Sequence, residues 1–464
     1  MKPKTTLILL VVFAVLLGAV LFFDSKGEKK KAAEEKTNTL IDIAAGDVVK
    51  ASLVRDGGTL AFERDEAGAW RMTSPLRAAA DPSEVDSLVG ALASLRIERV
   101  VEAEAKDPSA YEIPKTEVSL WVKDSETPIK LLVGMENPLD KSLFAKREDD
   151  PRIVLLSSTL KSTLDKKIFD FREKDVFKFA AADVQTVRVK AKGVAWQAAR
   201  EEGGWMLKAP VAALAAKGRI DSLLDSLAGL RAAAFVAEDK TPAALAEFGL
   251  DKPDYEVALS LPAANQEIVF SLHKKGEASY ATTSRSTKVI NFEGTLLADL
   301  DRKVEEMREK KVADFYSWNA GRVALKRAGV EIAVVKDTSG VAEKWVFEDP
   351  AKEEADRTKV DDFLRQIEAL EASGFIDDPG PLAAYGLEPG AEIRIRAKDA
   401  QDKDTEIVIF VGREDTEKKE VLVRTPGLPY LFRVDPAFLQ DWPKETKDWK
   451  AAAPEADDSK PEKK

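Results

Sequence analysis

The chain has 464 residues, 44% of them hydrophobic and 33% charged, enough apolar content to build several buried cores and too much for a disordered chain. Its 71 basic and 82 acidic residues give a net charge of −11, with no basic stretch interleaved with aromatics, which argues against a nucleic-acid partner. Cysteine is absent and His273 is the single histidine, so disulfides, thiolate catalysis, cysteine-type zinc sites, iron–sulfur clusters and multi-histidine metal sites are excluded.

Residues 1–23 read as a short cytoplasmic tip and a membrane anchor. Lys2 and Lys4 precede an uncharged apolar run, 5–23, that includes Leu7, Leu10, Phe13, Leu17 and Phe22. A helix of that length spans about 28 Å, close to the ~30 Å hydrocarbon core. The run ends Phe22-Phe23-Asp24 without the small residues of a signal-peptide cleavage site, so an uncleaved anchor is expected. Its orientation has two readings. Lys26, Lys29, Lys30, Lys31 and Lys36 follow the run, and a plain lysine count would keep the bulk of the chain in the cytoplasm. A short lysine-bearing tail ahead of the run is the ordinary form of a signal-anchor, which places the bulk outside. The second is the expectation adopted here: a single-pass inner-membrane protein with its bulk in the periplasm. Residues 24–39 form a charged, aromatic-free linker, and 451–464 have the composition of a disordered tail.

Between linker and tail, one unit recurs three times, with expected bounds 40–178, 179–314 and 315–450. Trp70 and Pro75 make a W-x4-P pattern that returns as Trp205 and Pro210, then as Trp345 and Pro350. Trp205 follows Trp70 by 135 residues and Trp345 follows Trp205 by 140. A helix comes next in each copy. Val85, Leu88, Leu92 and Leu95 form its apolar stripe in the first, Ile220, Leu223, Leu227 and Leu230 in the second, and Val360, Phe363, Ile367 and Leu370 in the third. Asp86, Asp221 and Asp361 hold one place near the helix starts, where a carboxylate suits the helix dipole.

A corner follows, Tyr111-Glu112-Ile113, Phe248-Gly249-Leu250 and Tyr385-Gly386-Leu387, with Glu112 in place of glycine setting the first copy apart. Paired strands are predicted over 118–122 and 129–134, 255–261 and 268–273, and 393–397 and 407–412. A further hairpin leads to helix starts at Ser157-Ser158-Thr159-Leu160, Glu293-Gly294-Thr295-Leu296 and Asp435-Pro436-Ala437-Phe438. The first two units close on Phe171-Arg172-Glu173-Lys174 and Met307-Arg308-Glu309-Lys310, joints to the next unit, whereas the third ends near Trp449. The fold class is α+β: three tandem repeats of an antiparallel sheet with helices on one face, behind a transmembrane helix.

Motifs that could carry chemistry are weak. No G-x-G-x-x-G or phosphate-binding loop supports a nucleotide, and no cofactor is expected. Ser158 and Lys161 match S-x-x-K, but its companion motifs are missing and the place corresponds to helix caps in the other units. Asp399, Asp402, Asp404 and Glu406 crowd one hairpin loop without calcium-loop spacing and read as a solvated loop. His273 stands where the other copies have Gly134 and Gly412, and reads as a surface or half-buried imidazole. Residues 299–311 read as a solvated helix, with Glu306 and Lys310 at i,i+4. The three W-x4-P tryptophans read as packing residues, with ligand stacking as the alternative.

The apolar N-terminal run, the recurrent W-x4-P, the (V/I)-D-x-(L/F) helix, the (Y/F)-G-L corner and the R-E-K joint together resemble the bacterial domain-of-unknown-function family 4340. The resemblance covers most of 40–450. It implies a membrane-anchored protein, often encoded beside gliding-motility-like ABC transporter components, and it brings no catalytic, metal or cofactor residue with it. The expectation is a non-enzymatic envelope protein that reaches the membrane through one helix and a protein partner in a transport or envelope complex. The alternatives are a glycan- or peptide-binding module using Trp70, Trp205 and Trp345, and a hydrolase using carboxylates such as Asp86, Asp221 and Asp361.

Overall fold

A computed structural model describes residues 38–452, apart from 203, 263–265, 341, 350–352, 389 and 399–402. The apolar run 5–23, with Leu7, Leu10, Phe13, Leu17 and Phe22, and the tail beyond 452 lie outside the described residues, as does Pro350. Among the described residues no helix is long and apolar enough to cross a membrane. The chain divides into two compact bodies, one through Lys174 and one from Asp175.

The first body is one antiparallel sheet. Its strands are β1 (Val48–Arg55), β2 (Gly58–Arg64), β3 (Trp70–Ser74), β4 (Ala78–Ala79), β5 (Arg99–Glu102), β6 (Thr116–Val122), β7 (Ile129–Glu136), β8 (Leu143–Arg147) and β9 (Ile153–Leu156). Asp56 and Gly57, both at positive φ, turn β1 into β2 by the two-residue hairpin such a dipeptide favours. The sheet order is β4-β3-β2-β1-β6-β7-β8-β9-β5. The chain therefore lays down four strands, crosses through a helix to the far edge, and returns to pair β6 with β1.

That helix, α1 (Pro82–Ala93), starts at Asp81, whose carboxylate accepts the N–H groups of Ser83 and Glu84. Proline at its first position costs no hydrogen bond. Its buried face, Val85, Leu88, Val89 and Leu92, enters one core with Val48, Leu53, Phe62, Trp70, Val118 and Leu120. The corner after it repeats in all three units. Glu112 takes the left-handed conformation (φ 55°) that Gly249 (φ 73°) and Gly386 (φ 70°) take, so the first corner is built like the others despite its different residue.

The second body repeats this plan twice. Its first sheet, from Thr186 to Phe292, has nine strands in the same order; its second, from Ala320 to Val434, has eight, with an isolated bridge between Val346 and Glu354 in place of the short edge strand. One continuous apolar cluster runs through both sheets, from Val184 to Trp449. Three antiparallel sheets with a few helices are thus the architecture. The helix Lys217–Ala228 starts at Ala216, which has the extended backbone of Asp81 and of Asp356, the cap of Arg357–Glu368, but no capping side chain. Ala216→Asp is therefore expected to stabilise the second body by about 1 kcal/mol, read as a higher urea midpoint with an unchanged slope.

Each unit is laced at both ends by the same backbone bonds. Leu40, Val176 and Val312 donate their N–H to Leu95, Leu230 and Leu370, just past the helix of the unit they lead into. At the other end, Asp81, Ala216 and Asp356 donate to Phe171, Met307 and Trp449. The third unit closes as the others do, with Lys450 bridged to Ala355 as Arg308 is to Ala215 and Arg172 to Ala80. Residues 299–311 are not one helix: Leu296–Leu300 ends, a short 3-10 turn Val304–Met307 follows, and Lys310 lies in the extended joint. Burial of Met307 and Arg308 along that joint takes precedence over the i,i+4 pairing of Glu306 with Lys310.

Candidate functional site

The recurring tryptophans are core residues. Trp70, Trp205 and Trp345 are 2%, 1% and 2% exposed, so each packs within the core of its unit. Pro75 and Pro210 follow them across cis peptide bonds. The recurring aspartates are not merely helix-start carboxylates, since each sits on the fifth residue of its helix, beyond the cap. Trp70 Nε1 donates to Asp86 Oδ1 at 2.7 Å, and Trp345 Nε1 to Asp361 Oδ1 at 2.9 Å.

A cation completes the arrangement. Arg64 lies 4.2 Å above the Trp70 ring, Arg200 4.6 Å above Trp205, and Lys336 5.3 Å above Trp345. The same cations hold the chain at or just before the first strand of each unit: Arg64 Nε donates to the Val48 carbonyl, Arg200 Nε to that of Val184, and Lys336 Nζ to that of Trp318. Each unit thus carries a clasp of cation, indole and helix carboxylate. The constant 16-residue interval from tryptophan to aspartate is the sequence signal for it. In the second unit the clasp is open: Asp221 pairs with Lys217, and the buried Trp205 Nε1 has no partner.

The other sequence candidates resolve into structural roles. Ser158 makes no capping bond, and Lys161 pairs with Asp165 and Glu136. Asp399 and Asp402 lie outside the described residues, while Glu406 pairs with Arg394. Among the described residues no group of three or more acidic or histidine side chains could hold a metal. His273 packs its ring over Gly249, where a Cβ would come within 2.3 Å of it, and its Nδ1 lies 3.1 Å from Asp254. Burial would raise the Asp254 carboxyl, but Lys192, the Lys274 N–H and His273 together hold it below the usual range.

Two features go beyond what the motifs announce. Arg308, in the joint between the two sheets of the second body, is 3% exposed. Its guanidinium lies 3.7 Å from the Phe375 ring and 4.6 Å from the Tyr430 ring, and Nη1 pairs with Asp377 at 2.6 Å. The other is a cleft of about 190 Å³ beside the third clasp, lined by Trp318, Lys336, Glu343, Arg357, Asp361 and Arg365 among others. Trp318 is 71% exposed and stacks on Tyr316, itself 54% exposed, with ring centroids 5.7 Å apart and planes 28° from parallel.

Neither a curated protein nor a solved structure matches the chain. The pattern of one family, described as a domain of unknown function (DUF4340), matches three overlapping stretches, 70–239, 205–389 and 345–456. The matches begin at Trp70, Trp205 and Trp345, the tryptophans of the three clasps, and together they span most of the chain. The chain therefore belongs to the DUF4340 family and carries its domain in three copies.

Proposed function

We propose that this chain is a membrane-anchored, non-enzymatic accessory or scaffold subunit of an ABC-type transport or gliding-motility-like complex. The apolar run 5–23 is its anchor, the helices cover one face of each sheet, and the three units stand on the periplasmic side. The observation that carries this reading is the use of the recurrent polar residues. Asp86 and Asp361 accept indole N–H groups of their own units and Asp221 pairs within its own helix, so each recurrent carboxylate serves its unit's architecture. A chain that repeats a structural clasp three times works by presenting surface at a fixed place.

The test is purification of the full chain from its own membrane in mild detergent after in vivo cross-linking. Recovery of an ATP-binding-cassette permease or another envelope protein in stoichiometric amount is the expected result. Recovery of the chain alone would overturn the reading. A reporter fused after Lys464 is expected to be active outside the cytoplasm, and activity only inside would reverse the orientation.

A further inference from the structure

We propose that the cleft beside the third clasp, with the Trp318–Tyr316 ledge, binds a glycan bearing an acidic sugar. The argument starts from what the other two units lack. The turn that carries Trp318 is the 3-10 turn Ser317–Asn319, and its counterparts are Ala45–Asp47 and Ala181–Asp183. At the place of Trp318 those turns have Gly46 and Ala182, and at the place of Tyr316 they have Ala44 and Ala180. The turn forms three times and needs an aromatic in none, so the fold does not account for Trp318 or Tyr316.

The ledge is nonetheless held firmly. Ser317 N–H donates to Glu368 at 3.0 Å, Asn319 N–H to the Tyr316 carbonyl at 2.9 Å, and Lys336 Nζ to the Trp318 carbonyl. Ser317 holds the Glu368 carboxyl below its usual range, against the burial that would raise it. An exposed, ordered aromatic face is a stacking platform for a flat ligand face, and it loses little conformational freedom on binding.

Charge selects among flat ligands. Arg357, Asp361 and Arg365 lie at i, i+4 and i+8 on the helix Arg357–Glu368, one stripe along the cleft. Arg365 stands where the other helices have Gly90 and Asp225, so the third unit alone is basic there. Arg357 uses Nε on Asp361 and Arg365 uses Nη2 on Asp362. A guanidinium has five N–H donors, so both keep donors for a carboxylate, the group whose geometry they match. Volume limits the ligand further. A cleft of about 190 Å³ is smaller than the roughly 300–1,000 Å³ of sites for drug-sized molecules. It takes one acidic ring, while the next sugar lies over Trp318. A polynucleotide would also stack, but the net charge of −11 opposes a polyanion and hardly penalises a ligand with one or two carboxylates.

The test uses the full chain in detergent, titrated with digalacturonic acid, with neutral galactobiose and with an acidic hexapeptide, read by tryptophan fluorescence and calorimetry. The expected result is saturable binding of the uronic disaccharide. Trp318→Ala and Arg365→Asp, both at exposed positions and with far-UV circular dichroism unchanged, should each weaken it by about tenfold or more. Galactobiose should bind at least tenfold more weakly than the uronic sugar. No binding of the uronic sugar, or binding unchanged in both variants, would overturn the proposal, and so would equal, Trp318-dependent binding of the hexapeptide.

Discussion

Arg308→Ala is expected to lower the stability of the second body by about 2–4 kcal/mol and to split its unfolding into two transitions. The guanidinium is buried between two aromatic rings and paired with Asp377 in the joint between sheets. Alanine removes the cation–π contacts and the ion pair, and leaves a void between Phe375 and Tyr430. The loss is bounded on the other side, because Nε and Nη2 are buried without partners and already count against the arginine. Asp377, 43% exposed, can hydrate once released. Arg308→Met, which fills the void and buries no donor, is therefore expected to cost less than half as much. Urea unfolding followed by tryptophan fluorescence and by hydrogen exchange along the joint would measure both. One cooperative transition for Arg308→Ala, with stability unchanged within about 0.5 kcal/mol, would show that the joint does not depend on this side chain.

The clasp gives the second expected effect. Trp345→Ala should cost about 3–5 kcal/mol, as truncation of a fully buried tryptophan does. The informative measurement is the comparison among units. Trp345→Phe removes the indole N–H that Asp361 accepts, and a double-mutant cycle with Asp361→Ala should show a coupling of about 1–2 kcal/mol, at the lower end for a charged acceptor because Asp361 is partly solvated. The same cycle at Trp205 and Asp221 should give a coupling near zero, because that indole has no partner. The difference is local. Asp361 and Asp221 each give Oδ2 to the cation four residues earlier, Arg357 and Lys217, but only Asp361 Oδ1 is reached by its indole. Equal couplings in both units would contradict this account of the open clasp.

Much of the architecture was legible because it is written three times. The W-x4-P tryptophans, the helix stripes and the strand pairs stood out by recurrence, and the α+β reading with an antiparallel sheet follows from their patterns. What recurrence could not show was which recurrent residue meets which. Trp70 and Asp86 lie on a strand and a helix, and only packing α1 against the sheet brings them within a hydrogen bond. Conformation was equally hidden at Glu112, where the corner's left-handed backbone is held by its surroundings and not by residue type. Arg308 was legible as part of a joint, while its partners Phe375 and Asp377, 67 and 69 residues on, were not. Trp318 escaped for the opposite reason. It breaks the repeat, so a search for what recurs passes over it, and only superposing the three turns reveals the substitution.

The joint also has a mechanical meaning. Between the two sheets of the second body the chain carries no slack. Glu309 N–H is bonded to Leu214 of the sheet it leaves, the Lys310 carbonyl accepts from Ala372 of the sheet it enters, and two residues later Val312 N–H is bonded to Leu370. A linker would stretch under load before passing it on. Here a pull on one sheet reaches the next within a single peptide group, so the body bears tension as one strut.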